Sequence, residues 1–478
     1  MACSGFATVI QGVVLDEETG NALARTSVSL IPLPGSRMGT IAVRSGDRGA
    51  FAINNVGPGW YVLRCTRKGF VAAEVGQLRP GRPGMPFEIT PDAQSSFFQI
   101  KMRRLGAVTG AVLDENNVGI PDWPVNVYTA HKPVRRIAEG RTDDRGNYRV
   151  GELESGSYVV RSGPGQLEDE SHLLPTWYKF GTALENAEAV RVKVGETTSD
   201  LALRPVRGRL INLSGVLVSS FAATLTLVTD TGRHPLASGA GASFTYAVAP
   251  GEVEFLAEGT GGTGGRCGGY LRMFADHDMQ GIRVACSPLG ASFVNWSGNP
   301  DGRHFPVMMR RVDLDGEGPT QGVREQERIT PGHWEFQAQP DEAYYVRSIG
   351  SELSSHPEST HDGWFEIDVG GAAQILVTLS NRPASLTGVV TTGSKPVVGA
   401  PVYLEMFDER LPNPRVRMLE MRSDAQGNYR FSGLAPGTYR VLSSFDFDPE
   451  DRFLLGKATV LTLRETDNAT QALELMLP

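Results

Sequence analysis

Apolar residues recur at every second position in short runs along most of the chain, as in Tyr148, Val150 and Leu153 or Tyr429, Phe431 and Leu434. Gly, Pro, Asp and Asn break these runs about every 8–12 residues. Period-two alternation predicts strands with one face buried, and the breakers predict the turns between them. Helix is nearly absent from the pattern. A polar stretch over 182–189 is the best helix candidate, and it is short enough to be a loop. The glycine-rich run 259–269 reads as a flexible tip.

Two turn signatures repeat. The first is Pro-Gly followed by an aromatic or apolar strand, as in Pro58-Gly59-Trp60-Tyr61 and Pro436-Gly437-Thr438-Tyr439. It recurs at Gly156, Gly251 and Gly332, so the five glycines lie 97, 95, 81 and 105 residues apart. The second lies ten residues upstream, at Gly49, Gly146 and Gly427. Its fullest forms are Asp143-Asp144-Arg145-Gly146-Asn147-Tyr148 and Asp424-Ala425-Gln426-Gly427-Asn428-Tyr429. Here Asp143 and Asp424 are expected to cap a tight turn, and Gly to supply a positive φ. Gly241 and Gly322 keep the offset without the Asp.

Openers such as Gly12-Val13-Val14, Gly110-Ala111-Val112 and Gly388-Val389-Val390 precede these turns, and alternating closers end near 104, 205, 288 and 383. The expectation is five units, 1–104, 105–205, 206–288, 289–383 and 384–478, joined by negligible linkers. Several short strands per unit predict an all-β chain of five tandem immunoglobulin-like or transthyretin-like β-sandwiches. Short linkers predict an extended rod, roughly 150–200 Å long at domain dimensions typical of this size.

The opener, the Asp-x-x-Gly-x-Tyr turn and the Pro-Gly-x-Tyr strand together resemble the carboxypeptidase regulatory-like domain. The resemblance is strong in units one, two and five and weaker in units three and four. It implies a transthyretin-like sandwich related in shape to the B-type repeats of bacterial collagen adhesins. It also implies an exported bacterial protein with no catalytic residues to carry over. The Lys-to-Asn isopeptide lock of adhesin repeats is not expected, because the openers contain no Lys.

Charge narrows the partners. The net charge is -8, with no basic excess for nucleic acid. No apolar run is long enough for a membrane-spanning helix. Basic residues are almost all Arg: only seven of 46 are Lys. Four cysteines allow two local disulfides, Cys3–Cys65 and Cys267–Cys286, or four free thiols.

His-Glu-x-x-His, Gly-x-Ser-x-Gly and phosphate-loop patterns are absent. Asp313, Asp315 and Glu317 alternate as in half a Ca²⁺ loop, but Arg324 stands where a distal Glu would complete it. A second acidic group is Asp446, Asp448, Glu450 and Asp451, and Asp276-His277-Asp278 is a weaker metal candidate. For all three the plain alternative is solvated loop charge. Trp60, Tyr61, Trp123, Trp177, Tyr178, Trp296, Trp334 and Trp364 would stack on sugar rings if exposed, or serve as ordinary core.

No cofactor is expected. The first functional expectation is a non-enzymatic extracellular or cell-surface structural rod that associates with itself, as a homo-oligomer or filament. The alternative is an adhesin or carbohydrate-binding module with a surface glycan or matrix-protein partner.

Overall fold

The computed structural model describes residues 8–476 apart from 93–94, 131–133, 167–171, 180, 183, 262–264, 325, 352–362, 409–414 and 449–451. Its regular secondary structure is almost wholly strand. Five large apolar cores lie along the chain, formed within residues 10–102, 108–203, 211–286, 307–379 and 384–473.

The first core shows the plan. Thr8–Asp16 lies between Ala50–Val56, antiparallel, and Ser95–Met102, parallel. Ser27–Pro32 and Gly59–Thr66 head the facing sheet, flanked by Ile41–Arg44 and Ala73–Glu74. Ile10 and Val14 from one sheet meet Leu30 and Leu63 from the other, all fully buried. The second core repeats this with Gly106–Ala111 against Asn147–Leu153 and Thr197–Thr198. The fifth repeats it with Ala384–Thr392 against Asn428–Leu434 and Asn468–Thr470. In the third, all seven strands join one path, because Arg266–Ala275 and Met279–Pro288 pair at one edge and roll the sheets together.

The opener glycines have a steric cause. The first strand must sit beside the last so closely that a Cβ on Gly12 would overlap the Phe98 carbonyl. The same overlap arises for Gly110 with Leu201, Gly215 with Ile282 and Gly388 with Gln471. Tyrosines of the Asp turn fix the same carbonyls: the Tyr148 hydroxyl donates to Leu201 O at 2.7 Å, and Tyr429 to Gln471 O at 2.7 Å. Gly215 belongs to the pattern although its sequence surroundings hide it.

The Asp turns form as expected in two units. The Asp143 carboxylate accepts from the backbone of Arg145 at 2.9 Å and of Asn147 at 2.8 Å. Asp424 accepts from Gln426 and Asn428, both at 2.8 Å. Gly146 and Gly427 take φ 80° and Gly49 φ 71°. In the first unit Gly46 occupies the capping position, and the turn closes by backbone alone. Downstream, Gly59, Gly156 and Gly437 precede aromatics whose hydroxyls reach back four residues. Tyr61 donates to Gly57 O at 2.9 Å, Tyr158 to Glu154 O at 3.0 Å and Tyr439 to Ala435 O at 2.6 Å. Trp334 makes the equivalent bond to Thr330 O through its indole N–H at 2.9 Å. Each ties the turn to the strand that follows, as a tyrosine corner does.

Three expectations are corrected. Around the glycine-rich run, 259–260 and 266–269 are strand, not a loose tip. Their glycines allow close approach, since a Cβ on Gly269 would overlap the Ala285 carbonyl. Among the described residues of the helix candidate over 182–189 there is only a 3₁₀ turn, Leu184–Asn186, and a short α-helix forms instead at Arg452–Gly456. The chain is also not an extended rod. Its first and fifth units touch: Arg422 Nη2 lies 2.5 Å from Glu74 Oε2, and Arg82 Nη2 lies 2.6 Å from Asp448 Oδ2. Units two and four also meet, through Arg135 and Glu335 at 2.8 Å. Short linkers set the spacing of neighbours, but these lateral ion pairs bend the path back on itself.

Replacing Gly388 by Val is expected to destabilise the fifth unit by about 2–3 kcal/mol, as overpacking does. Gly39→Ala, in open space, should change stability by no more than about 0.5 kcal/mol. Urea unfolding of both variants checks the contrast.

Candidate interaction site at the unit junctions

The residues proposed for cation binding are bound by guanidinium groups instead. Val312 and Asp313 pair with Glu317 and Gly316 in a tight hairpin. The Asp313 carboxylate is buried between Arg233 at 2.5 Å and Arg311 at 2.7 Å. Asp315 pairs with Arg233 at 2.8 Å, and Glu317 with Arg135 and Arg310. Glu335, fully buried, accepts from Arg135 at 2.8 Å and Arg310 at 2.6 Å. Arginine stays protonated at any ordinary pH. Four guanidiniums therefore neutralise these carboxylates, leaving them no excess negative charge with which to hold a divalent ion.

The hairpin thereby becomes a keystone. Arg135 belongs to the second unit, Arg233 to the third, and Arg310 and Arg311 to the fourth. The Leu314 backbone N–H donates to Glu254 Oε2 at 2.9 Å, and the Tyr270 hydroxyl donates to Glu254 Oε1 at 2.7 Å. Burial raises the Glu254 carboxyl above the usual carboxylate range, partly offset by these bonds. Beside it, Arg161 pairs with Asp230 and lies 4.9 Å from the Trp177 ring, while Tyr128 donates to Asp230 O at 2.9 Å. Between the fourth and fifth units, Glu465 collects Tyr345 at 2.8 Å, Arg347 at 2.6 Å and Arg382 at 3.3 Å.

The second acidic group serves the junction of the first and fifth units. Asp446 pairs with Arg79 at 2.9 Å and Asp448 with Arg82. Glu450 and Asp451 lie outside the described residues. In the third candidate, His277 contacts Asp276 at 2.5 Å, whereas Asp278 caps the Asn212 N–H at 2.9 Å and pairs with Arg209. Among the described residues no group of three or more His, Cys, Asp or Glu is placed to hold a metal ion.

Tyr61, Trp123, Trp177 and Trp334 are buried core. Trp60, Tyr178, Trp296 and Trp364 are half-buried. Trp296 is stacked on His304 at 5.6 Å, and Trp364 lies under Arg310 at 4.3 Å. Among the described residues no tryptophan is fully exposed to solvent.

Cys267 and Cys286 are joined by a disulfide within the third core. Cys65 is a free thiol, fully buried, and burial pushes it up to about 12. Cys65 lies in the apolar core of the first unit, and Cys3, the partner considered for it, lies outside the described residues. The junction chemistry was hidden from sequence reasoning, because partners such as Arg135 and Glu335 lie 200 residues apart. The one available signal was the preference for Arg, whose planar fork suits paired carboxylates.

Reducing the Cys267–Cys286 bond is expected to cost the third unit about 3 kcal/mol, from the chain entropy of a loop of about twenty residues. Thermal melting with and without reductant measures it. A pH effect is expected in the fourth unit. His333 sits between Glu366, 3.6 Å away, and Asp368, 2.9 Å away, which hold its imidazolium up to about 9. Its folded value lies above the ordinary one of about 6.5. The stabilisation is therefore complete below pH ~6.5 and lost as pH rises through about 9. His333→Gln should flatten that part of a stability–pH profile.

Among described residues no helix is long and apolar enough to cross a membrane. No curated protein matches the chain. Among solved structures, the minor pilin GBS52 of Streptococcus agalactiae is 13% identical with a TM-score of 0.25, covering 42% of this chain and 96% of the pilin. The shaft pilin SpaA of Lactobacillus rhamnosus GG is 10% identical with a TM-score of 0.25, covering 42% and 97%. The major pilin subunit BcpA of Bacillus cereus is 10% identical with a TM-score of 0.15, covering 78% and 99%. Residues 9–90 match the family model of the carboxypeptidase regulatory-like domain, and the opener glycine, the turn at Gly49 and the Tyr61 corner are the parts of that domain on which the first core is built.

Proposed function

We propose that this chain is a non-enzymatic structural protein of the cell surface or extracellular space that associates with copies of itself. Its working parts are five sandwich domains, with boundaries at 104, 205, 288 and 383. The observation that carries this reading is where the charged side chains go. The acidic groups with the spacing of a site, from Asp313 to Glu317 and at Asp446 and Asp448, are bound by arginines of other units. Their chemistry is spent on holding domain against domain. Asp143 and Asp424 are likewise spent on turns. The Cys267–Cys286 disulfide supports an oxidising compartment, since such bonds are rare in cytosolic proteins.

Negative-stain microscopy and sedimentation over a range of concentrations test the reading. Species larger than one chain, growing with concentration, are expected. A protein that remains a single chain at the highest soluble concentration removes self-association from the proposal.

A further inference from the structure

The contact between the first and fifth units, like that between the second and fourth, is a junction that the order of the chain does not require. Its partners are separated by 348 residues at Glu74 and Arg422 and by 366 at Arg82 and Asp448. It is nevertheless a built interface. Arg422 donates to Glu74 at 2.5 Å and to the carbonyls of Gly84 at 2.8 Å and Gly399 at 3.0 Å. Glu74 is preset to receive it, because its carboxylate also accepts the Gly84 N–H at 2.7 Å. Both side chains are largely buried, at 15% and 13% exposure. The backbone of Gly399 presses so close to Pro86 and Leu33 that a Cβ there would overlap the proline ring. Trp60 and Met85 of the first unit line an apolar cleft with Val398 and Phe445 of the fifth.

The two faces are different, so the contact is heterologous. Such a contact makes a closed ring when both halves come from one chain, and an open chain of molecules when they come from different ones. We infer that this is the head-to-tail interface of the assembly, with a second copy of this chain as its partner. The closed single chain is the form in which the interface is satisfied internally and self-association is held back. The inference rests on the self-association reading above. Internal closure competes through an effective concentration on the order of millimolar. Copies therefore join only when the closed chain opens or when protein is very concentrated.

A charge exchange on the full chain tests it. Arg82→Asp in the first unit and Asp448→Arg in the fifth each place like charges in contact. Each should lower the closed-to-open ratio on the order of tenfold, seen as a larger radius in small-angle scattering at low concentration. Mixing the two single variants restores opposite charge only between different molecules, where a first unit carrying Arg82→Asp meets a fifth unit carrying Asp448→Arg. Complexes should then form at concentrations about tenfold lower than for either variant alone, by sedimentation. Both changes in one chain should restore the compact form, which also shows that the variants fold. Single variants as compact as the parent, with a mixture that stays unpaired, overturn the inference. Assemblies of the parent that persist unaltered in both single variants overturn it too while leaving self-association intact. Pairing of the mixed variants with a parent that never assembles would uphold the interface and remove the filament.

Discussion

Parallel pairing of the first strand with the last is the constraint on which each unit depends. It brings the ends of a long segment together, and the backbones approach so closely that only glycine fits at Gly12, Gly110, Gly215 and Gly388. Because the two strands run in the same direction, the chain begins a unit at one pole and leaves it at the other. Eight residues of pairing in the first unit, from Val9↔Ser95 to Asp16↔Met102, set poles roughly 25 Å apart. Consecutive units must then meet pole to pole. The rest of the architecture is decided by how each meeting is angled.

That second decision is electrostatic. Where units meet, buried carboxylates of one receive arginines of another: Glu335 takes Arg135, Asp313 takes Arg233, and Glu74 takes Arg422. Burying such charges costs desolvation, and a well-packed apolar contact would often be at least as stable. What a fork-shaped guanidinium adds is direction. Arg422 satisfies one carboxylate and two carbonyls at once, and two of these acceptors, Glu74 and the Gly84 carbonyl, belong to the first unit, so the placement of the units must meet both. Leaving any of these charges unpaired in the interior is costly, so misplaced arrangements are penalised more than the right one is rewarded.

The interior of each unit was legible in the sequence because its signals are local. Asp143 and Gly146 lie within one turn, Tyr148 begins the next strand, and the alternation that follows points at the core. The Cys267–Cys286 pair was legible for the same reason, being 19 residues apart. The junctions were not. Asp313-Leu314-Asp315-Gly316-Glu317 has the spacing of an ion loop, and nothing nearby in sequence announces Arg135 or Arg233 as its counter-charges. The rod expectation failed similarly: linker length bounds the distance between neighbours but carries no information on the angle between them. Gly259–Gly269 misled because glycine serves flexibility and close approach alike, and only the presence of Ala285 across the sheet decides between them.

The two levels are coupled at the glycines and arginines that serve both. Gly399 lies beside the strand Pro401–Phe407 of the fifth core, yet its bare face is what lets Pro86 of the first unit seat against it. Arg422 ends a strand paired with Pro401, and its guanidinium reaches across to Glu74. The same short segment therefore completes a sheet and presents a contact surface. A unit that is not folded cannot present this face, because the register of Pro401–Phe407 against Arg415–Arg422 is what aims Arg422 outward. The contact at this face is thus conditional on the fold of the fifth unit.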